Sequence, residues 1–265
     1  MDFVTGEILA VDKPLGWTSF DAVKRLRGAL QRRLGEKKFK VGHAGTLDPL
    51  ATGVLLVCTG RGTKRIDELQ AGDKEYVATL RLGATTPSFD LETEIDSEKP
   101  CGHIAQADIE AAIARFRGDI MQVPPLYSAV KIDGKRAYKY ARKGHEVELK
   151  AKPIHISRLE IMSFNPPELT IVVDCSKGTY IRALARDLGE ALGCGAHLTG
   201  LRRTRIGNHG IDSCLTMDKA LELIATAPRQ FPDWWLQNHK EKQQETTPVS
   251  ADGAPGEQIY LCIKK

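Results

Sequence analysis

The chain of 265 residues carries 38 Lys and Arg against 34 Asp and Glu, a formal net charge of +4, and 42% of its residues are hydrophobic. These values are typical of globular proteins and argue against a disordered, collagen-like or coiled-coil chain. No apolar run approaches the roughly 20 residues needed to cross a bilayer, and the N-terminus lacks a secretory signal pattern. The six cysteines are scattered and form no CxxC pairs, so we expect reduced thiols, no zinc site and a cytoplasmic protein.

Two segments hold most of the positive charge. Residues 24–40 contain eight basic residues and one acidic residue, a net charge of +7, and residues 131–152 contain eight and three, a net charge of +5. The remainder of the chain therefore carries −8. Concentrated positive charge is typical of proteins that bind a polyanion such as RNA or DNA. A solvated helix face and a charged loop would give the same pattern, so charge alone leaves both interpretations open.

The N-terminal part of the chain predicts a strand, a capped helix and a glycine-rich loop, in that order. Residues 7–11 are a short apolar strand candidate. Thr18 and Asp21 have the spacing of a capping box that begins a helix. The apolar stripe of this helix consists of Phe20, Val23, Leu26, Leu30 and Leu34. Residues 42–53 follow as a loop punctuated by glycines, and an apolar strand comes after it.

The rest of the chain mixes strands and helices without a strict βαβ alternation, which predicts the α+β class. A basic, irregular segment at 124–152 separates the two halves, and residues 237–258 are polar. We predict one domain over residues 1–235 and a flexible tail over 236–265, too short for a second packed domain. The remaining elements are strands at 75–83 and 169–175, helices at 108–118 and 179–193, and a short helix that Thr216 caps.

Asp48 is the first candidate for chemistry. It precedes Pro49, which has no amide proton and disfavours helical backbone at Asp48. An aspartate is ionised at neutral pH and is a nucleophile that needs no separate base. A structural Asx-turn aspartate in a surface loop would have the same local sequence, so the pattern alone leaves both interpretations open.

Arg182 is the second candidate, because its predicted helix offers it no acidic neighbour three or four residues away. It either finds a carboxylate or phosphate elsewhere in the fold or is a solvated surface arginine. His43, a lone histidine near glycines, would by itself more often be structural. The chain contains no HExxH, GxSxG or dinucleotide glycine motif, so we expect neither a metal nor a cofactor.

Six motifs follow one another along the chain: KPLGWTSFDAV (13–23), VGHAGTLDPLATGVLLVCTGRGTK (41–64), EY (75–76), VPPLYSAVKIDGKRAY (123–138), CSKGTYIRALARDLG (175–189) and HLTGLRRTRIG (197–207). In this order they resemble the motifs of the TruB family of tRNA pseudouridine synthases, over about residues 7–225. The resemblance implies the pseudouridine synthase fold, a mixed and largely antiparallel sheet flanked by helices with a central RNA-binding cleft. Residues 124–152 resemble a basic insertion that closes over the RNA.

The resemblance implies a catalytic pair. Asp48 corresponds to the catalytic aspartate of the family, and Arg182 to the arginine that pairs with its carboxylate. Lys13 and Pro14 resemble a supporting, structural motif. Sequence leaves open whether Asp48 attacks the ribose, attacks the base or removes a ribose proton.

The resemblance also implies four substrate-binding residues. Tyr76 corresponds to the residue that lies against the target base, and Tyr180 and Leu201 help to line the pocket. His43 resembles the histidine that inserts into the T loop where the target base leaves.

The implied reaction is the isomerisation of uridine 55 to pseudouridine in the T loop of tRNA, without a cofactor. We expect the T arm to be the binding partner, with no membrane, no obligatory protein partner and no guide RNA, and we expect a monomer. The alternatives are a non-catalytic RNA-binding or tRNA-folding module on the same surface, and a guide-dependent relative of the dyskerin type.

Overall fold

The computed structural model describes residues 1–128, 130–132, 135–137, 140, 147, 149–228 and 230–237. Strands and helices mix throughout these residues, and the α+β class is confirmed. The strands are β1 (Ile8–Lys13), β2 (Val41–Ala44), β3 (Ala51–Thr59), β4 (Lys74–Leu82), β5 (Ala84–Thr85), β6 (Ser97–Glu98), β7 (Gly118–Gln122), β8 (Lys131–Ile132), β9 (Lys135–Arg136), β10 (Lys152–Asn165), β11 (Glu168–Cys175), β12 (Ala196–Ile206) and β13 (His209–Gly210). The helices are α1 (Ser19–Leu34), α2 (Ile66–Ala71), α3 (Gln106–Ala114), α4 (Ile181–Ala191) and α5 (Met217–Thr226).

A nine-stranded sheet organises the described residues. Its order is β1–β3–β12–β4–β11–β10–β7, with β2 paired to β3 and β13 paired to β12. The pair of β3 and β12 is parallel, and the other pairs in this sheet are antiparallel. The expected mixed, largely antiparallel sheet is confirmed. On β12, Arg203 lies opposite Gly53 of β3 on one side and opposite Tyr76 of β4 on the other, so three motifs meet on neighbouring strands.

Two large apolar clusters pack against this sheet. The first joins α3 and α4 to β4, β11 and β12, and it includes Leu47 and Ala51 at the start of β3. The second joins α1 and α5 to β1 and the later part of β3, including Leu55 and Val57. Strand β3 therefore connects the two clusters, and the loop that carries Asp48 lies at the end of β3 that belongs to the first.

Helix α1 begins as the sequence predicts but buries a slightly different face. Thr18 accepts a hydrogen bond from the Asp21 amide, and the Asp21 carboxylate accepts one from the Thr18 amide, which completes the capping box. The prediction that Phe20 belongs to the buried stripe is wrong, because its side chain is 57% exposed. A helix turns about 100° per residue, so Phe20 points away from the face that buries Leu26 and Leu30.

Several predictions fall partly outside the described residues. Much of the basic insertion at 124–152 lies outside them, as do residues 238–265, which include most of the predicted tail. The single-domain division at residue 235 therefore stays a prediction. Within the part of the chain that the structure describes, no helix is long and apolar enough to span a membrane.

Candidate active site

A cavity of about 260 Å³ opens beside the loop between β2 and β3. Five of the six residues that the sequence assigns to the site line it. Its wall comes from this loop, from β4 and β12, and from the β11–α4 connection, so segments distant in sequence converge on one space. The predicted residues in the lining are Asp48, Tyr76, Tyr180, Arg182 and Leu201.

The first motif of the chain holds the Asp48 loop in place. The carbonyl of Pro49 accepts hydrogen bonds from the Gly16 amide at 2.9 Å and from Lys13 Nζ at 3.4 Å. The Ser19 hydroxyl accepts a bond from the Leu47 amide at 2.8 Å and donates to the Leu47 carbonyl at 3.0 Å. Both neighbours of Asp48 are therefore bound through their backbones, which restricts the positions that the carboxylate can take.

Glycine is required where this loop meets β12. Gly53 has φ +102°, and a Cβ placed there would lie 2.1 Å from the carbonyl oxygen of Arg203. Any larger residue would separate the two strands or change the backbone conformation of the loop. The glycine spacing that the sequence shows around Asp48 thus serves close packing against Arg203.

Arg182 is buried and bound on every side. Its Nε lies 2.9 Å from Oδ2 of Asp48 and 3.6 Å from Oδ2 of Asp90. Its two terminal nitrogens donate to the carbonyl oxygens of Ser88 and Tyr127. The Arg182 side chain is 5% exposed whereas that of Asp48 is 40% exposed, so the guanidinium orients a carboxylate that still faces the cavity.

Asp90 is a site residue that the sequence analysis did not identify. Its side chain is 8% exposed, and it is the second carboxylate beside Arg182. The preceding Phe89 has φ +63°, an uncommon backbone conformation for a non-glycine residue. The carbonyl of Asp90 accepts bonds from the hydroxyls of Thr86 and Ser88, which fix this short loop. The available sequence signal was an aspartate in a loop rich in Ser and Thr. This pattern by itself indicates only a turn.

The two tyrosines in the lining are held differently. Tyr76 is buried on β4, and this burial raises the pKa of its hydroxyl, an effect that Arg203 partly opposes. Tyr180 lies at the start of α4, where the buried Gln122 side chain accepts from its amide at 2.8 Å and donates to its carbonyl at 3.1 Å. Burial also raises the pKa of Tyr180. Both rings therefore stay neutral near pH 7 and offer aromatic surface to a ligand.

A second part of the cavity lining is cationic. Lys74 and Arg203 line it and are 5% and 1% exposed. Lys74 Nζ donates to the Gln70 carbonyl at 2.5 Å, and Arg203 donates to the carbonyls of Val54 and Gly45 at 2.8 and 2.9 Å. Burial lowers the pKa of Lys74 to about 8, and Arg203 contributes to this shift. We call Asp48 and Arg182, with Asp90 beside Arg182, the Asp48 end of the cavity, and Lys74 and Arg203 the Lys74 end.

His43 is the predicted site residue that the cavity does not include. It lies on β2 opposite Val57, and its ring is half-buried. Burial, with a smaller effect from Arg203, lowers the pKa of its imidazole, so the ring is neutral near pH 7. Its buried Nδ1 has no hydrogen-bond partner in the described part of the chain.

This arrangement can place an ionised carboxylate beside an aromatic wall that a flat ring can contact. Asp48 offers a carboxylate that Arg182 contacts at 2.9 Å, and Tyr76 offers a buried ring on the same cavity. Among the described residues no cluster of His, Cys, Asp and Glu is arranged to hold a metal ion.

Comparison with known proteins gives matches over most of the chain. Residues 31–181 match the TruB family pseudouridylate synthase N-terminal domain, and residues 182–238 match the tRNA pseudouridylate synthase B C-terminal domain. The tRNA pseudouridine synthase B of Phocaeicola vulgatus is 57% identical over 91% of this chain and 98% of its own. That of Parabacteroides distasonis is 60% identical over 92% of this chain and 100% of its own.

The fold also has a solved counterpart. A chain in the crystal structure of a Cbf5-Nop10-Gar1 complex superposes with a TM-score of 0.65 at 29% identity, over 84% of this chain. The present protein covers 55% of that chain, so it spans about half of its length. With the two domain matches and the two full-length relatives, this places the protein in a family: the chain belongs to the TruB family of pseudouridylate synthases.

Proposed function

We propose that this protein is an isomerase that converts uridine 55 in the T loop of tRNA to pseudouridine. The relatives that share more than half of its residues over nearly their full length are tRNA pseudouridine synthases. The observation that carries the proposal is the position of Asp48, which lies 2.9 Å from a buried arginine and lines the same cavity as a buried tyrosine.

The geometry supports a role for each residue in the lining. The target uridine leaves the base stack, at a cost of a few kcal/mol, and its base lies against Tyr76. Stacking on an aromatic ring contributes about 1–3 kcal/mol and offsets this cost. Asp48 reacts with the ribose or the base, Arg182 orients its carboxylate, and Tyr180 and Leu201 confine the base.

His43 lies outside the cavity, at a position suited to the RNA rather than to the reacting base. A half-buried neutral ring is a good stacking group, and the space that a flipped base vacates favours an inserted ring. We propose that His43 enters the T loop at that space.

The proposed enzyme acts on the T arm by itself. We propose a cytoplasmic monomer that needs no guide RNA and no obligatory protein partner, since the residues for binding and chemistry line one cavity of this chain. A non-catalytic RNA-binding module would not need a carboxylate that a buried arginine orients at 2.9 Å, and the Asp48 geometry favours catalysis over that alternative.

Conversion of a T-arm stem-loop transcript by the purified protein tests this proposal. The transcript carries tritium at carbon 5 of uridine, and pseudouridine formation releases that tritium into water. We expect release with the transcript alone, and none when uridine 55 is replaced by cytidine. Absence of release with tightly bound RNA would favour the binding module, and release only after addition of a guide RNA would favour the dyskerin-type alternative.

A further inference from the structure

The Lys74 end of the cavity carries positive charge for which the fold supplies no carboxylate. Among the described residues, neither Lys74 nor Arg203 forms an ion pair with an Asp or Glu, although both are buried. Their hydrogen bonds go to backbone carbonyl oxygens. Buried charges in proteins are normally paired, because burial without a partner costs several kcal/mol. Two buried cations without a carboxylate partner on a binding cavity therefore indicate that the ligand supplies the negative charge.

The ligand group that reaches this end is constrained by the sheet. Tyr76 is two residues from Lys74 on β4 and lies opposite Arg203 on β12. All three residues line the cavity and are less than a tenth exposed, whereas the Asp48 side chain is 40% exposed. If the proposed function holds, the flat base against Tyr76 is the part of the substrate that lies closest to both cations.

We propose that Lys74 is a catalytic residue that stabilises the negative charge on the detached uracil, with Arg203 strengthening the positive field in the same cavity. The inference rests on the proposed function and deepens it. The phosphodiester backbone is the competing anion, and the exposed Lys177 at the rim of the cavity is better placed than Lys74 to meet it.

The charge arises in a defined step of the isomerisation. When the bond between carbon 1′ of the ribose and N1 of uracil breaks, its electron pair stays on N1 and spreads over the two carbonyl oxygens. After the base turns, carbon 5 forms the new bond to carbon 1′ and loses its proton, and N1 gains one. No oxidant, reductant or second substrate is needed. An ammonium group beside a carbonyl oxygen of uracil stabilises the intermediate more than the neutral substrate, which is the condition for catalysis.

Other groups around Lys74 set the pH range of this effect. Burial disfavours its charged form most, Arg203 and Lys177 disfavour it further, and Asp73 favours it. Tyr76 faces the same cavity and is neutral near pH 7. Lys74 therefore carries its charge at neutral pH and loses it as the pH rises through about 8.

Single-turnover kinetics with a saturating concentration of protein separate catalysis from binding. For Lys74→Ala we expect the rate constant of pseudouridine formation to fall by roughly 10²-fold, while the Kd for the T-arm transcript changes by less than about threefold. Addition of ethylammonium ions should restore part of the rate, because the small cation fits the space of the missing side chain. Lys99→Ala, which removes an exposed lysine outside the cavity, is the matched control. If Lys74→Ala does not fold, Lys74→Gln replaces it as the test variant, with the same expected results.

The pH profile supplies an independent readout. The wild-type rate constant should fall above about pH 8, and Lys74→Arg should abolish that fall because the guanidinium stays protonated. The proposal is overturned if Lys74→Ala keeps its rate constant and loses RNA affinity, which would identify a phosphate contact, or if the fall persists in Lys74→Arg. If the wild-type protein forms no pseudouridine, the proposed function fails instead, so the two failures are distinguishable.

Discussion

At the Asp48 end of the cavity the Arg182 guanidinium lies between two carboxylates, whereas at the Lys74 end Lys74 and Arg203 donate to backbone carbonyls. The first arrangement pairs the positive charge of Arg182 with carboxylates and fixes the direction of Asp48. The second leaves an uncompensated positive field in a buried space. A buried cation can therefore orient a catalytic group or await a charge that arises during the reaction, and its partners distinguish these roles.

The largest effect is expected when the positive charge of Arg182 is removed from the Asp48 end. Arg182→Met leaves the buried Asp90 without its cation and Asp48 without its orienting group. We expect a loss of about 3–5 kcal/mol in the free energy of unfolding and of roughly 10²–10³-fold in single-turnover rate. Urea denaturation and single-turnover assays measure the two effects.

Arg182→Lys is the matched control for this prediction. It keeps the charge, but an ammonium cannot contact two carboxylates and two carbonyls in the same geometry. We expect it to recover most of the stability and only part of the rate. Full activity in Arg182→Met would contradict the assigned orienting role.

The next effect concerns the backbone that joins the two ends. Gly53→Ala places a Cβ 2.1 Å from the Arg203 carbonyl at a φ of +102°, so the loop and β12 must separate. We expect destabilisation of about 3 kcal/mol or more, measured by thermal or urea unfolding. Gly102→Ala, at an exposed glycine with no atom near its Cβ position, should change stability by less than about 0.5 kcal/mol. Equal stabilities of the two variants would show that close packing at Gly53 is unimportant.

Lys13 gives a pH-dependent test of the support beneath the Asp48 loop. Burial lowers its pKa from 10.5 to about 8, so the folded state favours the neutral form more than the unfolded state does. The contribution of this group to stability therefore rises as the pH increases from about 8 to 10.5, and it is constant below that window. The difference in unfolding free energy between wild type and Lys13→Met should become more positive across this range. A difference that stays flat would mean that Lys13 titrates normally.

The smallest effects are expected on the basic helix α1. Arg33 is engaged by the protein itself, because its guanidinium donates to the carbonyls of Ala225 and Ala227 at the end of α5. Arg32 is exposed. We expect Arg33→Glu to lower stability by about 1–2 kcal/mol and Arg32→Glu to leave it unchanged.

The same pair of variants tests whether α1 contacts RNA. For Arg32→Glu the affinity for tRNA should fall, and the slope of log affinity against log salt should decrease by about one. An unchanged slope would identify the exposed face of α1 as solvated surface only.

The sequence predicted local structure well where either apolar alternation or a local capping hydrogen bond determines the element. The strand predicted at 75–83 is β4, on which Tyr76, Ala78, Leu80 and Leu82 share one buried face, and the Thr18 capping box correctly predicted the start of α1. Strand β12 was not predicted, because Arg202, Arg203 and Arg205 interrupt the apolar pattern that marks a strand. These charges are tolerated since Arg202 pairs with Asp12 and Arg203 with backbone carbonyls from distant segments.

The site residues themselves came from family motifs rather than from periodicity. Helix spacing correctly indicated that Arg182 has no local partner, but the identity of its partners depends on tertiary contacts with Asp48 and Asp90. Asp90 and Lys74 escaped the sequence analysis because an acid in a loop and a lysine at a strand end are both common on surfaces. Only their tertiary surroundings distinguish them, because Lys74 is buried on this cavity and Asp90 is buried beside Arg182.

The most direct test of the account is the Asp48→Asn variant, which keeps the size of the side chain and removes its charge. The measurement is single-turnover formation of pseudouridine in the T-arm transcript, together with the Kd for the same RNA. We predict no detectable pseudouridine and a Kd within about threefold of wild type, because Asp48 performs chemistry while the aromatic and basic groups bind the substrate. Normal turnover by Asp48→Asn would contradict the assignment of Asp48 as the catalytic residue.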